Sequence, residues 1–308
     1  MKQTFLSTKK KTRAYLTTSQ CTDLPCKQLT DFTCETSFGK TIFGFKYYTR
    51  DLKMPWGYDK DNGPCTWGNE FPIANGKRQS PINIVPENVT FDQKLASSPL
   101  VINYNPEPKP EVMNTGKSVK VQATHSSEIK GGPLTGTYKL EQFHFHWGAN
   151  DKKGSEHTIN DKMYASELHL VHYNTKYPNF GAAVDKPDGL AVFGFFVKPG
   201  AKHVGMKEFT DTALAAVRDE GKKVHLTTDL DMKTLLNSDT SKYWTYLGSL
   251  TTPPLYESVT WIVFKEPIEI SDEQLHELRN LRCGSNCIVD NYRPPVPLGD
   301  RIVRASFK

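Results

Sequence analysis

No stretch of this 308-residue chain approaches the roughly 18–20 consecutive apolar residues that a membrane-spanning helix requires. A membrane span is therefore not expected. No internal repeat is visible, and the prolines and glycines are scattered as turn punctuation, which excludes a repeat architecture. Positions 1–22 contain no acidic residue, and they lack the continuous apolar core, about 7–15 residues long, of a secretory signal. Acid-poor, Ser/Thr-rich composition permits a mitochondrial transit peptide, although arginine is sparse for one.

Basic charge is concentrated at one end. The net charge is +5, but residues 1–53 hold ten Lys/Arg against four Asp/Glu, and the remainder carries 29 against 30. Five Lys/Arg among the first 22 residues, mixed with Ser and Thr, do not make a nucleic-acid surface, and nothing downstream suggests one. Residues 1–53 read as a basic, cysteine-bearing, poorly ordered extension, and residues 54–308 as the folded domain, an all-β unit being able to reach this size alone. Six cysteines, at 21, 26, 34, 65, 283 and 287, are an even number, as disulfide bonding favours. Cys283 and Cys287 flank a Gly-Ser-Asn loop and could pair locally. Asn88-Val89-Thr90 is a glycosylation sequon, a triplet common by chance. Without a signal, the cytosol is expected, with secretion or mitochondrial import as alternatives.

What is present is strand. Lys117–Thr124, Tyr138–Trp147, Ala165–His172, Leu190–Val197 and Val259–Lys265 all carry β-type patterns. Leu190–Val197 is nearly all apolar, as a strand buried on both faces should be. Helices are expected over Met206–Arg218 and Ser271–Leu281, the latter opened by Ser271 and Gln274 as a capping box.

The chemistry concentrates in Gln142-Phe143-His144-Phe145-His146-Trp147. Strand side chains alternate faces, so His144 and His146 point one way and Phe143, Phe145 and Trp147 the other. A second strand candidate, Tyr164 to Val171, carries His169 in its middle. Three imidazoles converging from two strands make a zinc site whose fourth position stays open, the arrangement of catalytic zinc. A lone strand histidine is ordinarily a core or surface residue. Here Gln142 and Glu167 each lie two positions before a histidine on the same face, where they can accept its distal ring N–H and fix the tautomer. His125, His157, His172, His203, His225 and His276 lack this setting and read as structural or solvent-exposed. Val171, two residues beyond His169, gives the same face an apolar neighbour.

Eight motifs then carry a resemblance. They are Trp56 to Tyr58, Gly76 to Ile84, Gln142 to Gly148, Gly154 to Thr158, Ala165 to His172, Tyr243 to Tyr246, Gly248 to Pro254 and Asp290 to Pro294. In this order, from about Pro55 to Lys308, the chain resembles the α-class carbonic anhydrases of the animal type. The resemblance implies a mainly β (α+β) single domain: a large central twisted, mostly antiparallel sheet flanked by short helices, with the active site a cone floored by the sheet. It implies zinc-dependent, reversible hydration of CO2 to bicarbonate and a proton, and inhibition by anions and sulfonamides. Thr251 would accept the proton of the zinc hydroxide and pass its own to an ionised Glu156, since a hydroxyl donates one hydrogen bond. Thr252 would contact bicarbonate. Val192, Leu250, Val259 and Trp261 would join Val171 as the wall where apolar CO2 waits, and Asn291 would lie behind the metal ligands. Secreted members commonly join a cysteine near the position of Ala74 to one near Leu255; this sequence has neither.

One departure bears on rate. The position of the family's proton-relay histidine is occupied by Lys117, with Tyr58 and Thr115 left to order water. Lysine, with a reference pKa of about 10.4, gives up its proton too rarely at neutral pH to serve as a good relay. Lys120 adds a second cation where the family often has a neutral amide. Three other readings compete. A silent carbonic-anhydrase-like binding module would lack a zinc histidine, whereas His144, His146 and His169 are all present. A matrix or binding protein with a partner-binding extension is separable by a truncation lacking residues 1–53. A zinc hydrolase for another substrate needs a general base at a substrate cleft, and only Glu156 offers one.

Overall fold

The computed structural model describes residues 56–236 and 239–308. Expectations for residues 1–53, including Cys21, Cys26 and Cys34, fall outside the described residues. Seven strands position everything that follows: β1 (Glu111–Asn114), β2 (Val119–Gln122), β3 (Tyr138–Trp147), β4 (Ser166–Asn174), β5 (Leu190–Pro199), β6 (Tyr243–Gly248) and β7 (Val259–Phe264). They form the middle of a 13-stranded sheet, in the order β1-β2-β3-β4-β5-β7-β6, extended at the two ends by Lys223–His225 and by Arg304–Ala305 with Thr90–Phe91. Most neighbours are antiparallel, but β5 runs parallel to β7 and to Ile268–Ile270. Helices among the described residues are short, so the expected mainly β architecture holds.

Alternation along these strands divides the sheet into two faces. Val119, Val121, Phe143, Phe145, Leu168, Leu170, Phe193, Phe195, Ile262 and Phe264 belong to one core. Val171, Val192, Val259, Trp261 and Val263 belong to a second, smaller one. β5 is buried from Leu190 through Val197, which is why its sequence does not alternate in polarity. Asp272–Arg279 is helical, and its Ser271–Gln274 capping box forms in both directions.

Two expectations are corrected. Met206–Arg218 is not one uninterrupted α-helix: Val204–Met206 is a 3₁₀ turn, Phe209–Ala213 a π-helical turn, and α geometry is confined to residues 207–208 and Leu214–Ala216. The Thr210 hydroxyl donates to the Met206 carbonyl and accepts from Gln274 Nε2, so a side chain competes for the local backbone bonds. Cys283 and Cys287 do not pair. They lie on a hairpin where Cys283 opposes Asn286 and Cys287 opposes Arg282, which puts the two sulfurs on opposite faces.

His172, on the core face of β4, is structural. Its Nδ1 lies 3.1 Å from the Ala191 carbonyl and its Nε2 2.7 Å from the Tyr104 hydroxyl. Burial pushes its pKa down from 6.5 to about 3. The unfolded chain therefore binds a proton here that the folded chain refuses. Stability should fall as pH drops from about 6.5 towards 3, by up to about 5 kcal/mol from this group alone. Urea unfolding of the wild type and His172→Gln across that range checks this; the variant should show the shallower pH dependence.

Candidate metal centre

β3 and β4 are antiparallel neighbours, with His144 opposite His169 and His146 opposite Glu167. That register brings the three expected ligands together, one nitrogen from each lying within 4.8 Å of the others. Each ring is held by its remaining nitrogen. His144 Nδ1 donates to Gln142 Oε1 at 3.0 Å, His146 Nδ1 to the Asn291 carbonyl at 2.7 Å, and His169 Nε2 to Glu167 Oε1 at 2.7 Å. These acceptors fix the tautomers and leave His144 Nε2, His146 Nε2 and His169 Nδ1 with free lone pairs. Burial, then the neighbouring imidazoles, holds His144 well below its usual range; burial also lowers His146. His146 Nε2 is buried without a hydrogen-bond partner, an arrangement that costs stability unless something takes the lone pair. Three neutral imidazoles with converging lone pairs fit a zinc ion.

Glu167 does more than its sequence position suggested. Its Oε1 also accepts from His157 Nδ1 at 2.7 Å, and its Oε2 accepts the backbone N–H groups of Glu156 and His157. Burial alone would raise this carboxyl, but His157 and His169 hold it well below the usual range. His157 is fully buried and continues to the Tyr246 hydroxyl at 2.7 Å. It is therefore a supporting residue that strand alternation could not reveal; its one sequence signal was its place directly after Glu156. Gly194 completes the support, because a Cβ there would stand 3.3 Å from Glu167 Oε1.

Glu156 is fully buried beside the triad. Its Oε1 accepts the Arg293 backbone N–H at 2.8 Å, another contact unforeseen in the sequence. Its Oε2 has no hydrogen-bond partner and lies 3.4 Å from His146 Nε2 and 3.9 Å from His169 Nδ1. Thr251 is buried in the loop joining β6 to β7, where Thr252 accepts the Leu255 N–H through its carbonyl. Among the described residues no hydrogen bond joins the Thr251 hydroxyl to Glu156. Tyr58 stacks edge-on against Trp56 and Trp67, and its phenol is pushed up by burial and by the charge of Glu156.

Asn291 binds two parts of the site. Besides holding His146, it accepts the Trp147 N–H through Oδ1 and donates to the Lys117 carbonyl through Nδ2. Lys117 follows Gly116, whose φ of +76° favours glycine. Its ammonium lies 4.7 Å from the centroid of the Trp56 ring. Burial lowers the Lys117 pKa, while Cys283 and Glu220 oppose the shift.

The ladder explains how polar and apolar sides arise on one face. One rung runs Lys120, His144, His169, Gly194 across β2, β3, β4 and β5. The next runs Gln122, Gln142, Val171, Val192, Trp261 into β7. Amides flank the histidines on the β2 side and hydrocarbon on the β7 side. Val171, Val192, Val259 and Trp261 pack as one cluster with Leu250 against it, and the Trp261 ring meets His169 edge-on at 4.8 Å.

Comparisons with known proteins agree with this geometry. The family described as eukaryotic-type carbonic anhydrase matches residues 62–307. Carbonic anhydrase 7 of Homo sapiens is 47% identical over 262 residues, covering 82% of this chain and 97% of that protein. Carbonic anhydrase 1 of Monodelphis domestica is 44% identical over 264 residues, covering 83% and 99%. With a His₃ cluster backed by Gln142, Glu167 and Asn291 on a sheet of this topology, the chain belongs to the α-class carbonic anhydrases.

Proposed function

We propose that this chain hydrates CO2 reversibly to bicarbonate and a proton, with one zinc ion held by His144, His146 and His169. The observation that carries the reading is the convergence of three tautomer-fixed imidazoles beside an apolar wall. As is known for carbonic anhydrases, zinc in such a set lowers the pKa of bound water to about 7, so hydroxide is available at neutral pH.

The chain's own residues do the rest. Val171, Val192, Leu250, Val259 and Trp261 offer uncharged CO2 a place free of competing water. The Thr251 hydroxyl orients the attacking oxygen by accepting its proton in a hydrogen bond. Glu156 Oε2, which has no other partner, is the carboxylate oxygen open to the Thr251 proton. Thr252, next to Thr251 in the same loop, is the contact proposed for the bicarbonate formed. Tyr58 and Lys117 are the residues proposed to take part in carrying the proton outward through water. Stopped-flow CO2 hydration with and without a chelator tests the proposal; activity indifferent to complete metal removal would refute it.

Lys117 makes proton export the slow step in this reading. kcat should be low in weak buffer and rise with imidazole concentration, while kcat/KM changes little, since it reports steps before proton release. Lys117→His should raise kcat by about 10-fold or more. Burial lowers the Lys117 pKa, with Cys283 and Glu220 opposing; the competing outcome is a lysine depressed far enough to act as the relay itself. In that case kcat would be high, independent of buffer, and reduced by Lys117→Ala.

A further inference from the structure

The polar flank of the metal centre holds two charges that the proposed mechanism leaves unused. Lys120 stands directly opposite His144 across β2 and β3. Opposed residues of an antiparallel pair share a face, with Cβ atoms about 5 Å apart. The Lys120 side chain therefore rises beside the ligands. Its Nζ donates to Gln122 Oε1 at 3.2 Å. The amide of Gln122 in turn donates to Glu141, at 3.0 Å to Oε1 and 2.7 Å to the carbonyl. Glu141 is the extra residue of a bulge in β3, between Leu140 and Gln142, so its carboxylate reaches Gln122 on the metal face despite its odd position in the alternation. Along the strand direction, leaving the histidines, the wall reads cation, amide, carboxylate. No ion pair joins the two charges among the described residues, because the Gln122 side chain spans between them.

We infer that Lys120 sets the affinity of the metal centre for anions, bicarbonate first, and that Glu141 opposes it. The inference rests on the zinc reading above. A cation roughly 8 Å from a bound anion, at effective dielectric constants between about 20 and 80, changes affinity by about 3- to 30-fold. CO2 carries no charge, so the effect separates the two directions of the reaction: Lys120 favours capture of bicarbonate and slows its release.

The test uses the full chain loaded with Co²⁺ in place of zinc, whose visible absorption reports anion binding independently of turnover. Thiocyanate is titrated at low and high ionic strength. Lys120→Gln should weaken thiocyanate by about 3- to 30-fold, Lys120→Arg should retain it, and Glu141→Gln should tighten it. All differences should shrink at high salt. In turnover, Lys120→Gln should raise KM for bicarbonate and leave KM for CO2 unchanged. Unchanged thiocyanate affinity in Lys120→Gln, with cobalt bands intact, would overturn the inference. So would a shift of the same sign in Glu141→Gln, which would mark a packing effect through Gln122. Failure of every variant and the wild type to give cobalt bands would instead overturn the metal centre itself.

Discussion

His169→Ala should lose zinc and at least about four orders of magnitude of CO2 hydration, while the chain stays folded. The expectation follows from the size of the acidity change that three neutral ligands support, from about 15.7 for bulk water to about 7. Two imidazoles leave the coordination set one short of the three that catalytic zinc sites use. The loss also removes one of the two imidazoles that hold Glu167 ionised, although His157 and two backbone N–H groups remain on that carboxylate. Because the second core packs against the same strands, circular dichroism should stay close to wild type. Metal content by mass spectrometry and stopped-flow hydration decide the matter. Full zinc and full rate in His169→Ala would remove it from the ligand set.

Thr251→Ala and Glu156→Gln should each lower turnover by about 10²-fold with zinc retained. The figure is that of losing one preorganised hydrogen-bonding group at the reacting atoms. Neither residue is among the three nitrogens that converge, so neither change should act through metal affinity. The structure sharpens the second variant. Glu156 Oε1 is already committed to the Arg293 N–H, and only Oε2 is open. Glutamine that keeps its carbonyl on Arg293 presents an NH₂ donor where an acceptor is needed, so the Thr251 hydroxyl loses its acceptor. Combining both changes should cost little more than either alone, because they break one relay. Additive losses, or zinc lost from Glu156→Gln, would assign Glu156 a structural role instead.

Strand periodicity is local, and what depended on it was legible. The shared face of His144, His146 and Gln142 follows from spacing by two, as does that of Glu167, His169 and Val171. The capping box at Ser271 is likewise four residues of local chemistry. The eight motifs added Thr251, Glu156 and Asn291, which no periodicity marks.

Other features needed the folded chain. Asn291 reaches His146 across 145 positions, and Arg293 reaches Glu156 across 137. Whether Cys283 and Cys287 pair depends on a hairpin register, and a shift of one residue reverses the face of each side chain. The bulge at Glu141 breaks the same alternation that made the histidines readable. Thus the sequence by itself determined the ligand types, their strands and the face they share, because those are set within a few residues by backbone geometry. Tertiary structure decided which partners fix each imidazole, that His157 shares Glu167, and which charges stand beside the metal centre. Those outcomes depend on register between strands far apart in the chain, where burial of two opposed faces selects one alignment among many.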